Sequence, residues 1–290
     1  MSQVNYYEDV KVIKKPLKQR IKSILKIFLV IATVVGCFFV AGRFSSALTV
    51  GNLGSLIVYG DTMVKVGGDS LFAVTIGSYD SYDQAEKVAL GSTIQGASGF
   101  VWEQDNKYFV IGNIYSSVED ANKVLDNISG TNYVADILEI KFPKLKLNFD
   151  SYDNSDMPIV NSAIELFDKI YDALYMFSVK FDKGEISHLA VSGNISGIRG
   201  ELKGVMVGVQ NLINKQSTSL VVVQEYLVGV DEVLDQAILK TIDNSATNYS
   251  LKNAIATVVR LKYDMYQKLK WLIWRLYLLY LIVYVEWNWV

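Results

Sequence analysis

Cysteine occurs once, at Cys37, so no disulfide can close within the chain and no cysteine-built metal site exists. Histidine also occurs once, at His188. Zinc amidases and other His-ligated hydrolases need several such ligands, which excludes that class. Neither sign of charge dominates: 28 Lys and Arg against 30 Asp and Glu leave a net charge of −2, with no global pull toward nucleic acid. Proline is scarce, three in 290 residues, and two of the three (Pro143 and Pro158) fall in a polar stretch, residues 142–158, that reads as a linker. No catalytic constellation stands out. His188 has no nucleophile or ligand partner near it in sequence and reads as an incidental polar residue. Glu165, Glu185, Glu201 and Glu225 are what the wet face of any helical bundle carries; a lytic enzyme could use one as a general acid, but nothing marks one out. The expectation is recognition without catalysis and without a cofactor.

What the chain does have is one short pattern written twice. Val74-Thr75-Ile76 followed by Tyr79-Asp80-Ser81-Tyr82-Asp83-Gln84-Ala85 returns as Val110-Ile111 followed by Tyr115-Ser116-Ser117-Val118-Glu119-Asp120-Ala121. Such a repeat reads as one supersecondary unit per copy. Phe72, Val74 and Ile76 alternate with Ala73 and Thr75, the period of a half-buried strand. Ser81 with Gln84 predicts a capped helix start, and Ser117 with Asp120 a weaker copy. Gly99–Gln104, a turn through Asp105-Asn106, then Lys107–Ile114 and Asn132–Ile140 supply the remaining strands. The predicted unit is a βαββαβ four-stranded antiparallel sheet with two helices on one face.

The strand ending Ile76-Gly77-Ser78-Tyr79, the Ser-x-x-x-Ala spacing at Ser81 to Ala85 and Ser117 to Ala121, and the duplication itself resemble a SPOR (sporulation-related repeat) domain over residues 69–141. The resemblance implies a bacterial module that binds peptidoglycan glycan strands denuded of stem peptides, at cell division or sporulation septa. Thr75 stands where the family often carries Gln, and the second copy reads Gly112-Asn113 where Ile-Gly is expected. A second reading follows: a septal protein–protein interaction scaffold whose sheet has lost glycan binding and whose helical region binds a partner.

Alternation places Ala73, Thr75, Gly77, Phe109, Ile111 and Asn113 on the face the two helices leave bare. Either Phe100 and Trp102 or Val101 and Glu103 join them, and the expectation is Phe100 and Trp102. A flat aromatic with short polar neighbours suits a sugar ring. The candidate glycan-binding set is therefore Thr75, Ser78, Phe100, Trp102, Phe109, Ile111 and Asn113. The competing reading has Trp102 and Phe109 packed beneath the C-terminal helices. An RNA-binding reading of such a sheet fails on charge, since residues 69–141 hold eleven acidic residues against four lysines.

Upstream, residues 1–23 form a basic tail with Lys11, Lys14, Lys15, Lys18, Arg20 and Lys22, predicted cytoplasmic. Residues 24–43, uncharged from Ile27 to Gly42, predict a transmembrane helix with the N-terminus inside, a single-pass protein of the bacterial cell membrane. Ser45-Ser46-Ala47 also fits a cleaved signal peptide, but the long polar lead and long apolar run favour an uncleaved anchor. Residues 44–68 read as a tether, with a short strand at Ser55–Tyr59.

Downstream, residues 159–290 predict an all-α bundle with helices at 159–182, 186–214, 217–243 and 248–285. Gly193, Gly197, Gly200, Gly204 and Gly208 either admit a close helix neighbour or break the second helix in two. The last segment, Leu269–Val290, is apolar and Trp-rich but interrupted by Arg275, which favours a bundle or interfacial helix over a second span. The fold class is thus α+β: transmembrane helix, βαββαβ sheet, then bundle. The expected partners are peptidoglycan glycan strands, the membrane and septal proteins.

Overall fold

The computed structural model describes residues 63–128, 134–149, 152–153, 155–213 and 218–287, with side chains through 278. The predicted tail, the predicted transmembrane helix at 24–43 and the strand expected at Ser55–Tyr59 lie outside these residues. The described elements are β1 (Met63–Val66), β2 (Ser70–Tyr79), α1 (Tyr82–Thr93), β3 (Phe100–Gln104), β4 (Lys107–Tyr115), α2 (Val118–Ile128), β5 (Asp136–Lys141), β6 (Leu145–Asn148), α3 (Met157–Asp182), α4 (His188–Ile213), α5 (Thr218–Thr241) and α6 (Asn244–Trp287). The fold is α+β, with two small antiparallel sheets, six helices among the described residues and a helical C-terminal region.

The larger sheet has strand order β3-β4-β2-β5, each neighbour antiparallel. This is the split β-α-β arrangement, in which each crossover helix carries the chain past one strand. Asp105 and Asn106, at φ 52° and 59°, turn β3 into β4 as paired left-handed residues do in a two-residue hairpin. Ala85 and Ala89 of α1 pack on Ile76 and Val110, and Ala121 of α2 packs on Val74 and Tyr115. Ser117 Oγ accepts from the Asp120 N–H at 3.1 Å, closing the start of α2. Ser81, the stronger candidate in sequence, makes no side-chain cap bond.

Two irregularities in the β2–β4 pairing control which side chains face where, one in β4 beside Val74 and Thr75 and one in β2 between Thr75 and Ser78, which brings Ser78 opposite Phe109. Val74 pairs with Asn113 but Thr75 pairs with Ile111, so Gly112 is an extra residue in β4. A Cβ on Gly112 would lie 3.2 Å from the Val74 carbonyl oxygen, which is why the bulge takes glycine. Beyond it the parity of β4 reverses. Phe109, Ile111 and Ile114 face away from α1 and α2, while Tyr115 faces α2.

The segment 142–158 is not a linker. Leu145 and Leu147 alternate with Lys146 and Asn148 as β6, which pairs with β1 from Val66↔Leu145 to Met63↔Asn148. Phe142, Leu145, Leu147, Phe149 and Tyr152 are all buried in the main core. The end of the predicted tether is likewise ordered as β1.

The four long helices follow the predicted spans within a few residues. Gly184, at φ 70°, ends α3 with Glu185 N–H donating to the Lys180 carbonyl, a glycine stop. Ser187 caps α4 through the Ala190 N–H. Helix α4 packs on α5, α5 on α6, and α3 on both α4 and α6. Lys268 meets Glu225 while Leu261 meets Gly229, so α5 and α6 run antiparallel. Helix α4 is continuous through its glycines, and a Cβ at Gly193, Gly197, Gly200 or Gly204 would meet open space. Only Gly208 of that series is approached, by Ile159 of α3.

Candidate functional site

The predicted site lies where the sheet meets the bundle. Thr75, Phe100, Trp102, Phe109 and Ile111 do share the face turned away from α1 and α2, and the choice of Phe100 and Trp102 over Val101 and Glu103 matches the observed side. That face is covered. Leu71, Ala73, Trp102, Ile111 and Ile114 belong to one buried cluster with residues of α3 and α6. Trp102 is 0% exposed, its ring 5.4 Å from Tyr263 in an edge-on contact, with the Arg260 guanidinium 5.0 Å above it. Its Nε1 donates to Gln104 Oε1 at 3.3 Å. Burying a side chain of this size contributes about 2–3 kcal/mol, so the packing is a core and not a loose cover.

Thr75 is also buried, its hydroxyl donating to the Asp136 carbonyl at 3.2 Å. Phe100 and Phe109 are half-buried against the same core. Ser78 pairs with Phe109 and is exposed. Asn113 departs from the set: the bulge at Gly112 turns it to the helix-bearing side, where its Nδ2 donates to the Tyr115 hydroxyl at 3.4 Å. The expectation of an uncovered face is thus corrected, because α6 supplies the second layer that an apolar sheet face requires.

The junction is held by polar bonds as well as rings. Lys252 Nζ donates to the Gly96 carbonyl at 2.9 Å, Asn253 Nδ2 to that of Ser98 at 2.9 Å and an Arg260 guanidinium nitrogen to that of Glu103 at 3.0 Å. Tyr171 of α3 donates to the Ile114 carbonyl at 3.3 Å. Lys262, its side chain 4% exposed, donates to Asp168 at 2.6 Å and Asp69 at 3.2 Å and lies 4.2 Å from the Phe142 ring. A buried ammonium is tolerated only with such compensation. Sequence reasoning missed these residues because each sits on a helix whose charged positions looked like a solvated face.

Two hollows remain. The first, about 230 Å³, lies between α1 and α2 over the bulge and is lined by Val74, Ile76, Asn113, Tyr115, Val124 and Lys252 among others. Burial pushes the Tyr115 hydroxyl up to about 12, against a smaller opposing effect of its hydrogen bond with Asn113. Burial likewise raises Tyr171 and Tyr266. The second hollow, about 390 Å³, runs between α5 and α6 past Glu232, Gln236, Lys240 and Asn253, and the buried Ser250 Oγ beside it has no hydrogen-bond partner.

Among the described residues no group of three or more His, Cys, Asp or Glu could hold a metal ion. Glu165 pairs with Lys169 and Glu225 with Lys268, each on a helix surface. Comparison with family models, with curated proteins and with solved structures returns no match.

Proposed function

We propose that this is a membrane-anchored envelope scaffold, without catalysis, in which the SPOR-like sheet is a structural platform and the helical region binds a protein partner at the septum. Of the two readings the sequence leaves open, this one is favoured by a single observation. The aromatic face suited to a sugar ring, centred on Trp102, is fully buried against Tyr263 and Arg260 of α6. A glycan strand needs a shallow open surface, and reaching this one would require the bundle to leave it.

The helices α4 and α5, which pack on other helices, turn large apolar side chains outward. Leu189, Val207, Val221, Val228, Leu239 and Ile242 are exposed there or just beyond α5. Exposed apolar groups of this kind, together with the predicted anchor at 24–43, suit a protein that gathers a partner beside the membrane.

The experiment uses the full chain fused to a fluorescent reporter, in cells that lack the amidases producing denuded glycan. The scaffold reading predicts continued concentration at septa. Dispersal on amidase loss, with co-sedimentation of the purified chain on amidase-treated sacculi, would overturn it in favour of peptidoglycan binding.

A further inference from the structure

Helix α6 outruns the body it packs on. Leu269 is its last fully buried described residue, yet the helix continues to Trp287, roughly 27 Å further at the rise of an α-helix. Trp271, Trp274 and Tyr277 are 57%, 65% and 59% exposed, and Leu278 and Lys270 are exposed beside them. At about 100° per residue these five occupy about a third of the helix circumference, centred on Trp274. Ile273, just past the Tyr277 edge of this arc, packs partly against the bundle core. The Arg275 guanidinium lies 5.2 Å from the Trp271 ring.

Composition says what medium suits this arc. Four of the five tryptophans of the chain (Trp271, Trp274, Trp287 and Trp289) fall within its last twenty residues. Trp and Tyr with Lys and Arg are the residues that settle at the level of lipid headgroups, ring in the acyl boundary and polar edge toward water. A second copy packing helix on helix would want an aliphatic stripe, and the exposed arc holds Trp271, Trp274 and Tyr277 with Leu278 and Lys270 among them. Lys270, Arg275 and Glu286 punctuate the segment, and no helix among the described residues is long and apolar enough to cross a membrane. The end of β1 lies beside the last buried turn of α6: a Cβ on Gly67, directly after β1, would lie 2.7 Å from the Tyr266 ring.

We propose that the exposed arc of residues 270–278 lies along the surface of an anionic lipid bilayer, rings at the glycerol level and the Lys270 and Arg275 cations reaching toward the phosphates. This attachment, a second one beside the predicted anchor, holds the folded unit against the membrane. It rests on the anchored reading above only in sharing one bilayer with it.

Residues 1–62 contain no tryptophan and Trp102 is buried in the core, so quenching by lipid reads the end of α6 and not the N-terminal segment, with Trp102 as an unquenched background. The test reconstitutes the full chain in vesicles of three parts phosphatidylcholine to one part phosphatidylglycerol, with bromine placed near the glycerol end or near the methyl end of the acyl chains. The proposal predicts strong quenching by the shallow bromines and weaker quenching by the deep ones. It also predicts that Trp271→Ser with Trp274→Ser, both at exposed positions, weakens binding of the chain to the vesicles and removes most of the quenching. Deeper quenching exceeding shallow would mean a span. Absent quenching, with disulfide cross-linking between copies carrying Trp274→Cys, would mean a second copy; either result overturns the proposal. Alkaline carbonate extraction of the same vesicles reads the N-terminal segment separately, and release there sinks the anchor without altering the quenching result.

Discussion

Tyr115 ends β4 packed with Ala121 of α2 and Tyr175 of α3 and lines the smaller hollow, and that placement has a measurable consequence. Burial favours the neutral phenol, so the group is raised from its ordinary 10.0 to about 12 in the folded chain. The stability it contributes is whole below pH 10 and is lost as pH rises through 12, because the unfolded chain releases the proton first. By linkage the loss is of order 2 kcal/mol. In urea denaturation at a series of pH values, Tyr115→Phe should flatten the decline of stability between pH 10 and 12, though not abolish it, since Tyr171 and Tyr266 are raised as well. An unchanged slope would show that Tyr115 is hydrated in the native state. At this scale alternation put Thr75, Phe109 and Ile111 on one face, as observed, and the choice of Phe100 and Trp102 over Val101 and Glu103, which alternation left open, also matches. It misplaced Asn113, because a one-residue bulge at Gly112 reverses the parity and nothing local announces it except the glycine itself. It also favoured the cap at Ser81 over that at Ser117, where only the second makes the bond.

The helices of the bundle were legible to within a few residues at each end, because apolar periodicity over 24 or more residues, glycine and serine stops, and short connections all agree. Strand β6 was not, because four alternating residues between Pro143 and a polar cluster look like a linker until β1 is seen to pair with them. The glycines of α4 show what sequence spacing leaves out. Neither a close helix neighbour nor a break occurs at Gly193, Gly197, Gly200 and Gly204, so each leaves a helix interior without a side chain and with room for one. Gly197→Ala and Gly200→Ala should each stabilise the chain by about 0.5–1 kcal/mol by restricting the unfolded state. Gly208→Ala should gain less or lose, since a Cβ there would lie 3.1 Å from Ile159 Cγ2. Thermal or urea unfolding of the three variants checks the order, and an equal gain at Gly208 would contradict the packing of α4 on α3.

At the scale of the whole molecule, the layers explain the rest. A four-stranded sheet with helices on one side leaves an apolar face to be covered, and the two candidate covers, a sugar strand or the chain's own helices, are indistinguishable from the strand residues alone. The decision lies in α6, whose Asn253, Arg260, Lys262 and Tyr263 reach the sheet or its flanking loops across more than 150 residues of sequence. For the same reason a fragment ending near residue 145 would expose Trp102, Ile111 and Ile114 to water, and full-length variants are the sounder probes of function.

The central claim, that this face is core, is tested most directly by thiol labelling. In a Cys37→Ser background, cysteines are placed singly at Ile111, which is 0% exposed, and at the exposed Ser78 on the paired strand. Ser78→Cys should react with a water-soluble maleimide at the rate of a free thiol, and Ile111→Cys should react only as fast as the chain unfolds globally. Reaction of Ile111→Cys at the rate of Ser78→Cys in the native protein would show the sheet face open, and would contradict the account.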